Sequence, residues 1–394
     1  MATDDWPALT WEPRPWRSAI PPELVSRAVR EAHVGDYRAA VVPRVADLQP
    51  RLPLGVLAEA EAAAALLARF DAESAGSPVP FSALLLRSES ASSSQIENIT
   101  SGARALAVAA LDAESATRNA ELVLGNVRAM ESAVRLGGID LDSVLGMHRE
   151  LLESAPDHAG RWRQEQVWVG GSGYGPHQAE FVPPHHERVP AAMADLIAFA
   201  ARDDVPVLVH AALVHAQFET VHPFVDGNGR TGRAIVHVLL RRRGLVENTV
   251  VPVSAGLLHD TDGYVAALTA YRAGEPEPIV RRFVDAAGRA VRHGRELVAD
   301  LADVRRRWEG VVQARRGASA WALADLLFRQ PVVDVNSVAR DLGVSTVNAA
   351  RALATLTEAG VLVEFSGRRR SRRWQAPEII SALDEFGRRA GRRN

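Results

Sequence analysis

His222-Pro223-Phe224-Val225-Asp226-Gly227-Asn228-Gly229-Arg230-Thr231-Gly232-Arg233 joins two helical stretches, and its reading decides how the rest of the chain is read. Gly227, Asn228 and Gly229 are small or permissive, so the backbone can turn tightly and aim its amides at one point. They stand just before a helix start, where unsatisfied N–H groups and the helix dipole favour an anion. Arg230 and Arg233, three apart, face one side of the first turn, and two guanidinium forks there suit neighbouring phosphates. Asp226 is a hard oxygen ligand of the kind Mg²⁺ takes together with substrate phosphates. His222 stands at the loop entrance, and an imidazole that titrates near the operating pH suits a general base. Taken singly, each residue has a plainer reading: a His before Pro is a turn residue, and Gly-Asn-Gly is a common loop. An EF-hand starting at Asp226 fails because its twelfth position is His237, not Glu. A P-loop fails for want of Lys followed by Ser or Thr.

Outward from the loop, helical periodicity dominates. Pro206–Glu219 is apolar nearly all round (Val207, Leu208, Ala211, Leu213, Val214, Phe218), as a buried central helix is. Arg230–Arg243 follows the loop with Ile235, Val238 and Leu239 inward. Further helices are predicted over Leu54–Phe70, Ala103–Leu111, Thr117–Leu136, Leu141–Leu152, Glu187–Ala201, Asp262–Arg272 and Pro278–Gln313. Phe81, Leu84, Leu85, Ser88, Ser92, Ile96 and Ile99 share one helical stripe, on a helix expected to stop near Thr100-Ser101-Gly102. The first 300 residues carry one good hairpin signal, Gln166–Val182, with a Gly-rich turn and a stop at Pro183-Pro184. From Gly317 the pattern is a helix Ala320–Phe328, then Asn336–Leu342, a turn at Gly343 and Ser345–Ala359. Strands Val361–Phe365 and Arg373–Gln375 follow, an order that describes a winged helix-turn-helix.

Composition narrows the chemistry. The 394 residues contain no Cys, which excludes disulfides, a thiol nucleophile and cysteine-bound metal. They contain no Lys either, which excludes Schiff-base chemistry and a Walker-type lysine. A formal net charge of −2 gives no global attraction to nucleic acid, although Ser366–Asn394 is locally basic, with nine Arg against three acids. No leader pattern and no apolar run long enough to span a membrane is seen, so a cytoplasmic location without membrane attachment is expected.

The twelve-residue string resembles the defining motif of the Fic family at every fixed position, and the resemblance extends over roughly residues 80 to 290. It implies a mainly α fold: a helical core with a small β-hairpin flap, here followed by a C-terminal winged helix-turn-helix. It implies a protein adenylyltransferase that moves AMP from ATP to a Tyr, Ser or Thr hydroxyl of a target or of itself. Under it His222 is the catalytic base, Asp226 holds Mg²⁺, Gly227, Asn228 and Gly229 cradle the anion, and Arg230 and Arg233 hold the outer phosphates. The hairpin at Val167–Val182 resembles the family's flap, which takes an extended segment of the target protein by strand addition.

Ser93 and Glu97, four apart on the early helix, resemble the family's inhibitory helix, Ser or Thr, three residues, then Glu. The resemblance assigns Glu97 to pair with Arg233, blocking the γ-phosphate, and in some relatives the same Glu assists removal of AMP. Tyr264 is placed at the base pocket, but Arg272 stands where several members have an Asn against adenine, so UMP or GMP transfer stays open. The rival reading is a DNA-binding transcriptional regulator whose Fic core senses nucleotide. It rests on Thr346, Asn348 and Arg351 as recognition residues and Arg368, Arg369, Arg370, Arg372 and Arg373 as wing residues. A winged helix serves equally as a docking or dimerisation module, and a homodimer is expected. The division drawn from all this is 1–110 with an inhibitory helix at about 81–101, a core at 111–315 with flap 166–183 and motif 222–233, and 316–394.

Overall fold

In the computed structural model, residues 6–17, 21–76, 80–315, 317–366 and 372–391 are described. The chain begins with β1 (Thr10–Pro15), α1 (Arg27–Ala32), β2 (Asp36–Val41), α2 (Leu54–Ala75), α3 (Ser82–Ile96), α4 (Ala103–Leu111), α5 (Arg118–Ala133), α6 (Leu141–Leu151) and α7 (Val189–Ala200). It continues through α8 (Val207–Val221), α9 (Asn228–Arg242), α10 (Val253–Leu258), α11 (Thr261–Arg272) and the long α12 (Glu277–Val311). The last stretch holds α13 (Ser319–Leu327), β3 (Val332–Asp334), α14 (Val335–Leu342), α15 (Thr346–Glu358), β4 (Val363–Glu364), β5 (Arg373–Gln375) and α16 (Pro377–Gly391). The fold is mainly helical. It divides into two compact units, one of residues 1–61, 133–243 and 262–283, the other of residues 62–132, 244–261 and 284–394.

In the first unit α8 is buried at every position from Leu208 to Val221, as its all-round apolar sequence requires. It packs against α9, and Gly232 makes the close approach possible: a Cβ there would come within 2.9 Å of the Phe218 ring. β1 and β2 pair antiparallel from Thr10↔Val41 to Pro15↔Asp36. No strand was expected here, and Pro13 and Pro15 by propensity argue against one. Proline is tolerated on an edge, and β1 is one, since β2 donates outward on its other side from Ala40 N–H to Val182 O at 3.1 Å. The hairpin expected over Gln166–Val182 is far shorter than its sequence signal. It is a single antiparallel bridge, Val169↔Phe181. Gly170 and Gly171 both adopt φ +72°, which turns the chain at once, and a Cβ on Gly171 would meet Gln178 O at 2.4 Å.

The second unit centres on α3 and α10. Glu89 of α3 is fully buried, and its carboxylate accepts from Ser254 N–H at 2.9 Å and Ser254 Oγ at 2.5 Å. α3 ends at Ile96, earlier than expected, because Glu97 N–H returns to Ser94 O and Asn98 turns left-handed at φ +61°. In the C-terminal stretch, β3, β5 and β4 form a three-stranded antiparallel sheet, with α14 and α15 joined at Gly343, φ +64°. The arginine-rich end forms α16, which the sequence reading left without structure. Its buried face is Ile379, Ile380, Phe386 and Ala390.

Candidate active site

α8 stops at His222 because that residue turns left-handed, φ +48° and ψ +62°, an unfavourable state for a residue with a side chain. Its carbonyl is held by Arg163, whose Nε donates at 2.9 Å. Arg163 also donates from its main chain to Pro223 O at 3.0 Å, from Nη1 to Glu165 O at 3.0 Å and from Nη2 to Pro184 O. One buried guanidinium therefore ties the loop entrance at His222 to both ends of the flap segment, at Glu165 and Pro184. Burial brings Arg163 down to about 10, so it stays charged.

Phe224 is clamped between two rings. His148 stacks on it at 3.6 Å and 3°, and Trp162 at 5.1 Å and 27°. His148 Nδ1 accepts from Gly160 N–H at 3.0 Å, which leaves Nε2–H to donate to Asp226 O at 3.0 Å. Burial pushes His148 down to about 4, so this neutral tautomer persists at physiological pH. Asn228 completes the frame: its Oδ1 accepts from Phe224 N–H and its Nδ2 donates to Phe224 O, both at 2.9 Å. Its side chain thus staples the loop, and only its main chain faces an anion.

Gly227 caps α9 at φ +77°, and a Cβ there would sit 2.8 Å from Leu151 Cδ2, so no other residue fits without strain. The first intrahelical bond runs from Thr231 N–H to Gly227 O, so the amides ahead of it point out of the helix end. Arg230, 1% exposed, lies behind them and donates from Nη2 to Asp226 Oδ1 at 3.2 Å. Arg233, one turn on, is buried as well. Asp226 keeps 64% of its side chain exposed, with Oδ1 also accepting from Gly227 N–H at 2.6 Å. A single exposed carboxylate beside an anion-binding helix end fits Mg²⁺, which takes few protein ligands and completes its shell with phosphate and water. The adjacent His185, His186 and Glu187 bring ligand atoms within 4.8 Å of one another, although His177, His185 and His186 lack the spacing of a zincin motif.

His222 has a fifth of its side chain exposed, with Nδ1 3.8 Å from Glu219 Oε2. Burial first, then Arg272 and Arg163, push its pKa down to about 3, below the ordinary histidine value that the sequence reading assumed. Tyr264 is 4% exposed, its hydroxyl 2.6 Å from His215 Nε2, so it is a core residue with little surface to offer a base. Arg272 lies over the Phe181 ring at 3.6 Å and donates from Nη2 to Glu219 O at 3.4 Å. The first unit thus brings together His222, Asp226, Gly227, Asn228, Gly229, Arg230, Arg233 and Tyr264. Ser93, fully buried on α3, and the half-buried Glu97 belong to the second unit. His148 and Arg163, which the sequence reading missed, act from 78 and 59 residues away in sequence, and nothing local in the sequence marks them.

Residues 138–240 match the Fic/DOC family, and residues 57–135 match the N-terminal region of Fic/DOC proteins. The chain is 32% identical over 147 residues to protein adenylyltransferase fic-1 of Caenorhabditis elegans, a match covering 36% of this chain and 26% of that protein. It is 31% identical over 148 residues to protein adenylyltransferase Fic of Nematostella vectensis, covering 36% of this chain and 31% of the relative. The chain therefore spans about a quarter to a third of the length of these curated relatives. A Fic family protein from Desulfovibrio desulfuricans shares the fold, with a TM-score of 0.54 at 23% identity over 83% of this chain and 98% of that one.

Proposed function

We propose that this chain, whose residues 138–240 match the Fic/DOC family and whose residues 57–135 match its N-terminal region, is a protein adenylyltransferase that moves AMP from ATP to a Tyr, Ser or Thr hydroxyl. The observation that carries this reading is the His222–Arg233 loop. A helix end with outward amides, two buried arginines, an exposed carboxylate and an imidazole converge there. The relatives' names add the same chemistry.

The target hydroxyl oxygen bonds to the α-phosphorus as the bond to the β-phosphate oxygen breaks, pyrophosphate leaves, and the hydroxyl proton passes to His222. His222 is neutral in the free enzyme, as a base must be. A triphosphate beside it adds negative charge and raises its pKa toward the operating range. The α9 amides, Arg230 and Arg233 meet charge on the phosphate oxygens. Asp226 is the residue that would hold Mg²⁺, which neutralises phosphate charge when bound. On this reading Glu97 and Ser93 act as a brake on the γ-phosphate clamp, and the target lies along the Val167–Val182 flap. The flap edge toward β2 is already used by Ala40, so strand addition falls on the Val167–Val169 side. The functional division is 1–110, 111–315 and 316–394.

The test is to incubate Glu97→Gly protein with Mg²⁺ and each nucleoside triphosphate in turn, and to weigh the protein and a lysate. An added AMP supports the reading. An added UMP or GMP corrects the base, and no adduct with any nucleotide overturns it.

A second reading, DNA binding by a winged helix at 316–394, is favoured by α15, which exposes Thr346, Val347, Asn348 and Arg351. Against it, Arg372 pairs with Glu364 and Arg373 with Asp112, so two of the five wing arginines are neutralised within the fold. Arg368, Arg369 and Arg370 lie outside the described residues.

A further inference from the structure

The second unit contains a cavity of about 950 Å³ that neither the loop chemistry nor the winged-helix reading uses. Its volume is that of a site for a drug-sized molecule. Three elements wall it: α3, the start of α4, and α16 with the end of β5. The apolar wall is Leu106, Ile380, Leu383 and Phe386.

The charged lining is unbalanced. Arg87, Arg104 and Arg388 face Asp384 alone. Asp384 is already engaged, its Oδ1 accepting from Ala103 N–H at 3.0 Å, and Arg388 pairs with Glu385 at 2.6 Å. Arg104 lies over the Phe365 ring at 4.3 Å. Arg87 is the unusual member. It is half-buried, its one hydrogen bond goes to a neutral acceptor, Gln330 Oε1, at 2.9 Å, and among the described residues no carboxylate pairs with it. Burial lowers its pKa, and Glu131 offsets part of that from beyond pairing distance. A desolvated guanidinium is costly unless an anion meets it.

We propose that this cavity binds a small organic anion with an apolar body, its head on Arg87 and Arg104 and its body against Leu106, Ile380 and Phe386. Arg87, Ser88, Ser92 and Gln95 of the lining all belong to α3, whose end leads directly into Glu97. An occupant therefore bears on the proposed brake helix, while Gln375 and Pro377 bring it against the C-terminal region. Binding itself does not depend on the transferase reading. Only its consequence for Glu97 rests on that reading.

The test uses the full chain and calorimetry with octanoate, octyl phosphate and octanol. Octanoate and octyl phosphate should bind once per chain, and octanol, with the same tail and no charge, at least about tenfold more weakly, the worth of a charge-assisted bond. Arg87→Gln should weaken both anions by about tenfold or more, and Arg87→Lys by less. Should Arg87→Gln fail to fold, Arg104→Glu at the exposed rim serves in its place. Amide exchange over residues 82–96 should slow when octanoate is bound, with no need for catalysis. Absence of anion binding, octanol binding as tightly as the anions, or undiminished affinity in both charge variants would overturn the site. Unchanged exchange over α3 would overturn its link to the brake.

Discussion

Two regions of this chain are rich in arginine, and they use it in opposite ways. Around the His222–Arg233 loop, Arg163, Arg230 and Arg233 are buried, and Arg163 is held by three main-chain carbonyls through its side chain. At the C-terminal end, Arg372, Arg373, Arg388 and Arg389 pair with Glu364, Asp112, Glu385 and Asp300. A guanidinium without water around it is a geometric tool, because moving it costs several bonds at once. A guanidinium paired at the surface, as at Arg372 and Arg388, contributes little, since water and salt screen it, while Arg373 and Arg389 are mostly covered and lie between the two cases. Residue type alone does not separate the two. Burial does.

Acid should divide the two units most sharply. His148 and His210 are pushed down to about 4 and His215 to about 3, in each case chiefly by burial, and all three belong to the first unit. These groups are neutral when folded, whereas the unfolded chain takes up protons below about 6.5. Stability is thus fully present above that value and is lost as pH falls toward the folded pKa values. Each histidine contributes a slope of up to about 1.4 kcal/mol per pH unit. Amide exchange followed from pH 7 to 4.5 should show the first unit opening before the second, where among the described histidines only His293 is pushed down. Simultaneous opening of both units would break the comparison.

Next in size is the loop itself. His222→Ala should lower transfer by about 10²–10⁴ with the fold and ATP binding retained, the usual span for a general base. A variant that transfers at the parental rate removes His222 from the mechanism. Arg163→Gln should destabilise by about 2–3 kcal/mol, because several buried carbonyls lose a charged donor. Arg388→Gln, at the exposed end, should shift stability by less than about 0.5 kcal/mol. Equal effects in thermal melts would show that burial is not what separates the two regions.

Glu97→Gly should speed transfer by about 10- to 100-fold, the worth of a charge-assisted bond that competes with the γ-phosphate for Arg233. Adding Arg233→Ala should return the rate toward the parental one, since brake and clamp share that residue. A Glu97→Gly protein no faster than its parent makes Glu97 an ordinary helix-end residue. The smallest effect is expected at the wing. If residues 316–394 bind DNA, replacing Arg372 and Arg373 by Gln should flatten the salt dependence by less than about two phosphate contacts, because both are already paired. A loss equal to two full contacts would show that both leave their carboxylates for DNA.

Much of this was legible in the residues themselves. α8 and α9 lie within two residues of where periodicity put them, because an all-round apolar helix and a Gly-Asn-Gly turn leave the chain few alternatives. The same string pointed to the helix-end amides and the two arginines, since these depend on neighbours within a few positions. Asn228 shows the limit: the loop position is in the sequence, but the side chain's use as a staple on Phe224 is not.

What the fold alone decided are the features made by distant chain segments. Sequence supplied a histidine of ordinary pKa at position 222. Packing among Arg163, Arg272 and the end of α8 turned it into a neutral, strongly depressed one. Pro13 and Pro15 by propensity alone argue against a strand, yet pairing with β2 made that segment an edge, where proline is tolerated. His148, Arg163 and the unbalanced cavity at Arg87 carry no local pattern, because their partners lie far off along the chain. The physical reason is the range of the forces involved. Turn chemistry and helical periodicity act over three or four residues, whereas desolvation and buried charge depend on whatever the finished fold brings alongside.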